Sequence, residues 1–314
     1  MHLLIPFASS SSPDCRQAMA GLSLPHLEKL LSRLALSITD EASVSSLTPP
    51  HERARVRALG LAAPDGRVPW AARHAAQTRL AQPGAGAWAW ITPCHWKVHA
   101  DYIVMENPQA LALDATQSQT LLDAMRPFFE EDGMTLQYAA PTQWLARGEV
   151  FHDLATASLD RVVGCDINDW LPKADQARPL RRLQNEMQML LYTHAVNDDR
   201  AARALAPVNS FWVSGAGALP ASWSETAQDE PVLPDALRDA ALKGDWAGWA
   251  ECWRQLDATA CAALLGALQA GHSVRLTLCG ERCALTFERG HIGFFGKIMS
   301  QFGRKPLSSL CDQL

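Results

Sequence analysis

The 314-residue sequence lacks a long apolar run and is poor in charge, with 19% charged residues. The weakly polar stretch 258–271 is shorter than the ~20 residues that a helix needs to cross a bilayer. The apolar start of the chain, residues 1–8, has no basic segment and is too short for a signal peptide. We therefore expect a soluble cytoplasmic protein with no membrane segment.

Basic residues are also scarce, since 28 Lys+Arg against 33 Asp+Glu give a formal net charge of −5. A dedicated nucleic-acid binder normally shows a clustered basic excess, so this balance argues against one. The eight cysteines are scattered through a large chain, which fits free thiols in a reducing compartment. What is present is 48% hydrophobic residues and 11 tryptophans, enough for a folded core in one large domain or two modest ones.

Hydrophobic periodicity predicts alternating strands and helices in the first half of the chain. The predicted elements are strands at 2–7, 87–92 and 110–113, a helix at 115–131, and a strand at 134–139. Strand, helix and strand in close succession are typical of α/β proteins. We predict a mixed, largely parallel sheet flanked by helices, with a smaller C-terminal α+β part.

Later segments predict a long helix opening at Pro179 and a strand at 210–214, followed by a polar, proline-bounded stretch at 222–234. A helix carrying Trp246, Trp249 and Trp253 and a hairpin within 273–289 come after it. The predicted division is an α/β core at 1–221 and a C-terminal helical and hairpin subdomain at 222–314, packed on the core. One continuous domain is the alternative.

The segment 194–217 is the most informative part of the sequence. Asn197 suits a helix N-cap, and Arg200 and Arg203 are neighbours on a helical surface, where they could bind an anion. A capped helix with a solvated arginine face and a strand-to-loop turn explains the same pattern without a ligand. The anion-binding candidates are Asn197, Arg200, Arg203, Asn209, Ser214, Gly215 and Gly217.

This segment resembles a signature of the archaeal-type, cofactor-independent phosphoglycerate mutases. The signature runs from His-x-x-Asn-x-x-Arg through Pro-x-Asn to a strand ending in Gly-x-Gly, and Ala204 and Ser214 depart from it. The rest of the chain looks closer to the bacterial RpfE-type regulatory proteins. The features in common are His2-Leu3-Leu4-Ile5-Pro6-Phe7-Ala8, residues 144–149 and residues 209–215.

The mutase resemblance implies an alkaline-phosphatase-like fold in which two metal ions flank a nucleophilic serine. Such chemistry needs several Asp and His ligands around paired ions. The resemblance would supply them through an Asp-Gly motif directly after the first strand and a late His-x-Asp-x-x-x-His spacing. After its first strand this sequence has Ala8 and four serines instead, and the late spacing does not occur. Ser9 to Ser12 offer hydroxyls, but no neighbour in the sequence would activate one. We expect no metal, no cofactor and no two-metal mutase activity.

Three functions stay open. The first is an RpfE-type binding or regulatory protein that takes a small anionic ligand or a protein partner. The second is a phosphoryl-transfer enzyme with a rearranged site, whose catalytic candidates are His194, His99 and Asp101, the last two on one face of a predicted strand. The third is a structural subunit that docks a partner through its tryptophan helix. The sequence does not fix the oligomeric state.

Overall fold

A computed structural model describes residues 1–61, 63–224, 230–289 and 313–314. The ten strands in these residues are β1 His2–Ile5, β2 Ala35–Glu41, β3 Ala87–Cys94, β4 Trp96–Val98, β5 Ile103–Met105, β6 Thr135–Ala140, β7 Gln143–Arg147, β8 Ser210–Ala218, β9 Arg275–Cys279 and β10 Cys283–Glu288. The helices there are α1 Pro13–Ala20, α2 Pro25–Leu31, α3 Pro50–Ala58, α4 Trp70–Gln77, α5 Ala115–Glu131, α6 Leu159–Val162, α7 Arg178–Tyr192, α8 Ala195–Ala202, α9 Arg238–Lys243, α10 Trp246–Leu256 and α11 Ala262–Gln269. In the described part of the chain, no helix has the length and hydropathy of a membrane span.

The chain divides into two compact units. Unit 1 comprises Met1–Ser45, Pro49–Ala62 and Thr226–Leu314, and unit 2 comprises Ser46–Thr48 and Ala63–Glu225. This division differs from the predicted one at 221/222. The N-terminal segment belongs with the C-terminal segment because β1 pairs with β9, a contact between the two ends of the chain that local patterns do not reveal.

Unit 1 contains a four-stranded mixed sheet in the order β1-β9-β10-β2. The β1 and β9 strands are parallel, whereas β10 pairs antiparallel with both β9 and β2. The predicted hairpin within 273–289 is confirmed as β9 and β10. The carboxyl ends of β1 and β9 therefore meet at one edge of this sheet.

The main core of unit 1 lies between one sheet face and helices α1, α2, α10 and α11. Leu3 and Ile5 of β1 contribute to it, together with Leu30 of α2, and each fully buried side chain of this kind stabilises the fold by roughly 1.5–3 kcal/mol. Trp249 and Trp253 of α10 are 0% and 1% exposed and pack edge to face. The predicted tryptophan helix exists, but these two indoles form core and cannot dock a partner.

Unit 2 contains a four-stranded antiparallel sheet in the order β6-β7-β3-β8. Helices α5 and α7 cover one face, where Phe129 and Met187 pack with Phe211 of β8. Helix α4 lies on the other face, where His74 contacts Trp90 of β3 with ring centroids 4.8 Å apart. A separate two-stranded ribbon is formed by β4 and β5.

The mixed α/β class with flanking helices is confirmed, but parallel pairing among the named strands is confined to β1 and β9. One reason is that the predicted strand at 110–113 is wrong. Pro108–Leu111 is a 3₁₀ turn capped by Asn107, whose Oδ1 accepts from the backbone N–H of Gln109 at 3.1 Å. Helix α5 therefore follows a turn instead of a strand, and no βαβ unit arises there.

Candidate functional site

The segment 194–217 begins with helix α8, which starts earlier than the sequence predicts. His194 is the N-cap residue, and its Nδ1 accepts from the backbone N–H of Val196 at 3.2 Å. Asn197 lies inside the helix, so its assignment as the N-cap is wrong. Imidazole caps are less common than those of Ser, Thr, Asp or Asn, which is why the sequence pointed to Asn197.

The Asn197 side chain, 7% exposed, joins three elements of unit 2. Its Nδ2 donates to the carbonyl oxygens of Leu191 and Val208, both at 2.8 Å. Its Oδ1 accepts from the backbone N–H of Val208 at 2.9 Å. The amide thus ties the end of α7 to the chain entering β8, and these bonds engage both of its polar atoms.

Arg200 is fully buried, at 0% exposure. Its Nε donates to the carbonyl of Ala206 at 2.8 Å, and its two terminal nitrogens donate to Gln117 Oε1 at 2.9 Å and to the carbonyl of Leu111 at 2.7 Å. Burial, and then the positive charge of Arg203, lowers the pKa of the Arg200 guanidinium from its usual value. With every nitrogen engaged and no exposed surface, this side chain does not reach a dissolved anion.

The other two polar candidates of this segment differ from each other. Asn209 accepts from the backbone N–H of Trp96 at 2.7 Å and donates to its carbonyl at 2.9 Å, which links the residue before β8 to the start of β4. Arg203 follows the last residue of α8 and is exposed. Anion binding at this segment stays a prediction, and Arg203 is the basic side chain that solvent reaches there.

The candidates Ser214, Gly215 and Gly217 lie in β8, against helix α4. Gly215 has φ 59°, and a Cβ there would lie 3.0 Å from Trp90 and 3.1 Å from Trp70. Gly217 has φ 147°, and a Cβ there would meet a neighbouring proline at 3.1 Å. Ser214 is 7% exposed. The two glycines let α4 pack closely on the sheet, a role that requires no ligand.

The three catalytic candidates are not brought together by the described contacts. His99 and Asp101 lie in the turn between β4 and β5, so the prediction that they share a strand face is wrong. The His99 ring stacks on Tyr102, with centroids 4.5 Å apart. His194 is engaged at the start of α8. Within the described residues, no hydrogen bond or ion pair links any two of the three candidates.

A different group of polar side chains lies in unit 1, where the parallel strands β1 and β9 end. Ligands of open α/β sheets bind at the carboxyl ends of parallel strands. Phe7 has φ 54°, a left-handed conformation that is uncommon for a non-glycine residue and that carries strain. After this turn, the backbone N–H of Ala8 donates to the carbonyl of Cys279 at 2.7 Å, which holds the loop against the end of β9.

The hydroxyl of Ser10 donates to Glu281 Oε1 at 2.6 Å. Its oxygen also accepts from the backbone N–H of Ser12 at 3.2 Å, so two contacts orient the side chain. The sequence alone does not suggest this pair because its members lie 271 residues apart. Only the pairing of β1 with β9 brings them together, and Ser10 thereby gains the proton acceptor that the serine run lacks in the sequence.

Two further residues shape this loop. The ring of His51, 7% exposed, packs on Phe7 with centroids 5.5 Å apart. The indole Nε1 of Trp249 donates to the carbonyl of Phe7 at 2.9 Å. The strained turn is therefore fixed from α3 and from α10. We call Phe7, Ser9, Ser10, His51 and Glu281 the serine site.

The serine site does not fit a pair of metal ions. Two-metal phosphoryl transfer uses several Asp and His ligands, whereas hydroxyls, one carboxylate and one imidazole are found here. Among the described residues, no three His, Cys, Asp or Glu side chains converge in a way that could hold a metal ion. The donor set of the described residues thus disagrees with the metal centre that the mutase resemblance implies.

Comparison with known proteins finds a similar fold but identifies no family. No protein-family model and no curated protein matches the chain. The PH0037 protein from Pyrococcus horikoshii is similar in structure, at 10% identity over 93% of this chain and 87% of that one, with a TM-score of 0.51. A cofactor-independent phosphoglycerate mutase from Thermoplasma acidophilum DSM 1728 aligns over 99% of this chain and 98% of that one, at 14% identity and a TM-score of 0.35. The likeness to the PH0037 protein is one of fold alone.

Proposed function

We propose that the protein is an RpfE-type binding or regulatory protein without two-metal mutase activity. The observation that carries this proposal is the side-chain set where β1 and β9 end. Ala8 and Ser9 lie in the loop after the first strand, and Glu281 is hydrogen-bonded to Ser10. These groups suit hydrogen bonding to a polar ligand better than the clamping of a phosphoryl group between two cations.

The binding part of the proposal concerns a small anion near Arg203, a side chain that is exposed at the end of α8. Arg200 and Asn197 are left out of this proposal because internal acceptors already engage their donors. An exposed guanidinium can still pair with a phosphate or carboxylate, although a single solvated contact is weak.

Two measurements test this function. The first is the conversion of 3-phosphoglycerate to 2-phosphoglycerate with and without manganese, for which we expect no product. Product formation that a chelator abolishes would refute the absence of two-metal chemistry. The second is calorimetric titration with inorganic phosphate and 3-phosphoglycerate, in which Arg203→Ala should weaken the binding. An absence of heat, or equal affinity in the variant, would remove the anion site.

A phosphoryl-transfer enzyme with a rearranged site is the second candidate function. The observation that favours it is the hydrogen bond from Ser10 to Glu281, since a hydroxyl beside a proton acceptor is a common form of activated nucleophile. Release of p-nitrophenolate from p-nitrophenyl phosphate tests it. Turnover that disappears in Ser10→Ala supports this enzyme, and equal background release in both proteins rejects it.

A further inference from the structure

The short contact between Ser10 and Glu281 suggests chemistry for the serine site. Its 2.6 Å length is that of a strong O–H···O hydrogen bond. A nucleophile and an adjacent base within hydrogen-bond reach are one part of the structural signature of covalent catalysis. We propose that Ser10 is a nucleophile, that Glu281 accepts its proton, and that the electrophile is an uncharged carboxylic ester. This inference uses the site of the second candidate function but not its phosphoryl substrate.

The backbone around Ser10 supports a functional role. The residue lies in the loop between β1 and α1, at the sheet edge where ligands of α/β proteins bind. It is half-buried and so keeps some contact with solvent, whereas Ser9 beside it is only 6% exposed. Strained backbone such as that of Phe7 persists only where surrounding contacts hold it, and it is frequent near active sites.

The hydroxyl itself is oriented. The backbone N–H of Ser12 donates to its oxygen, and the hydroxyl proton is directed at Glu281. The Trp249 indole holds the carbonyl of Phe7, and Ala8 is bonded to the end of β9. These contacts fix the loop so that the Ser10 hydroxyl lies beside the Glu281 carboxylate. Holding two groups at this distance makes proton transfer between them efficient.

The charge of Glu281 selects the class of electrophile. Its carboxylate is bonded directly to the attacking oxygen, so a phosphoester dianion would bring two negative charges against a third at contact distance. An ester carbonyl is uncharged and meets no such repulsion. The same carboxylate that serves as the base thus disfavours phosphoesters and favours neutral esters.

The proposed reaction is the hydrolysis of an ester, with water as the only other reactant. Ser10 Oγ attacks the carbonyl carbon, the new O–C bond forms, and the bond from that carbon to the alcohol oxygen breaks. The hydroxyl proton passes to Glu281 and from there to the departing oxygen, which gives an alcohol and an acyl-serine. Water then attacks the acyl group with Glu281 as the base, which releases a carboxylic acid and restores the hydroxyl.

The test compares two reporters with the same leaving group, the neutral p-nitrophenyl acetate and the anionic p-nitrophenyl phosphate. We expect the full-length protein to release p-nitrophenolate from the acetate at least about tenfold faster than Ser10→Ala or Glu281→Gln, because general-base catalysis usually contributes more than that factor. Ser11→Ala, a change at an exposed neighbour, is the matched control and should match wild type. Peptide mass mapping should place an acetyl group on Ser10.

Equal release from acetate by wild type and Ser10→Ala would overturn the proposal, as would acetyl groups on other residues only. Ser10-dependent release from the phosphate but not from the acetate would overturn it while supporting the phosphoryl-transfer enzyme. The reverse pattern would reject that enzyme and support the ester proposal. Circular dichroism checks the fold of Glu281→Gln, and Glu281→Asp, which keeps a carboxylate, should recover part of the rate.

Discussion

Replacing Arg200 by alanine separates a structural role from a ligand-binding role. The substitution removes three hydrogen bonds from a side chain with no exposed surface and leaves their acceptor oxygens unpaired. Hydrogen bonds to a charged group contribute about 1.5–3 kcal/mol each, and relaxation or entering water offsets part of their loss. We therefore expect the free energy of unfolding to fall by about 3–5 kcal/mol, which is large for one substitution.

Urea unfolding followed by tryptophan fluorescence measures this loss. With a slope of about 2 kcal/mol/M, the midpoint should fall by roughly 1.5–2.5 M. Arg203→Ala is the matched control because it removes an exposed arginine three residues away, and its effect should stay within about 0.5 kcal/mol. Equal stability of the two variants, together with a loss of inorganic phosphate binding in Arg200→Ala, would refute the structural role of Arg200.

Two further predictions concern pH. Burial, and then the charge of Arg275, lowers the pKa of His2 to about 4, so protonation opposes folding. The stability from His2 is complete above its unfolded pKa of ~6.5 and is lost as pH falls toward 4, by no more than about 2 kcal/mol after allowance for solvent screening. His2→Gln should flatten the pH dependence of unfolding in that window, and an unchanged slope would contradict the assignment. Burial acts to raise the pKa of Asp65. The hydrogen bonds that its carboxylate accepts from the Ser46 hydroxyl and from the backbone N–H groups of Leu47 and Thr48 outweigh this effect, so the pKa of Asp65 is lowered. Its contribution is therefore present above pH ~3.9 and is lost as pH falls through the lowered value. Asp65→Asn should cost about 1 kcal/mol at pH 7 and less at pH 3, whereas an equal loss at both pH values would count against these bonds.

Elements fixed by local interactions were predictable from the sequence. Helix α5 has the predicted bounds because Asp114 caps it by accepting from the backbone N–H of Gln117 at 2.8 Å, and its apolar residues recur at helical spacing. The strand predicted at 110–113 does not form, because Asn107 and Pro108 start a 3₁₀ turn that includes the apolar residues after them. Local sequence thus determines both structures. At 107–111 the Asn-Pro turn signal outweighs the apolar residues that had suggested a strand.

Contacts between distant parts of the chain were not predictable in the same way. The side chain of Arg200 bonds to Gln117 and Leu111, which are 83 and 89 residues away. Ser10 and Glu281 meet across 271 residues. Contacts over such separations produce no periodic pattern of residues from which they could be predicted. Charge and spacing suggested a ligand for Arg200 because the sequence does not distinguish an arginine bonded to oxygens inside the protein from one that binds an anion.

The mutase-like signature is therefore weak evidence for a ligand, because its residues have structural roles. Its Asn197, Arg200 and Asn209 hold unit 2 together, and its glycines allow α4 to approach β8. Residues engaged in this way would be retained wherever this packing is retained, whatever the protein binds. The serine site is the better place to test a function, because the Ser10 hydroxyl is only half-buried and lies beside a carboxylate, whereas Arg200 is fully buried. Signature and site can be tested separately: Arg200→Ala should change stability, and Ser10→Ala should change chemistry.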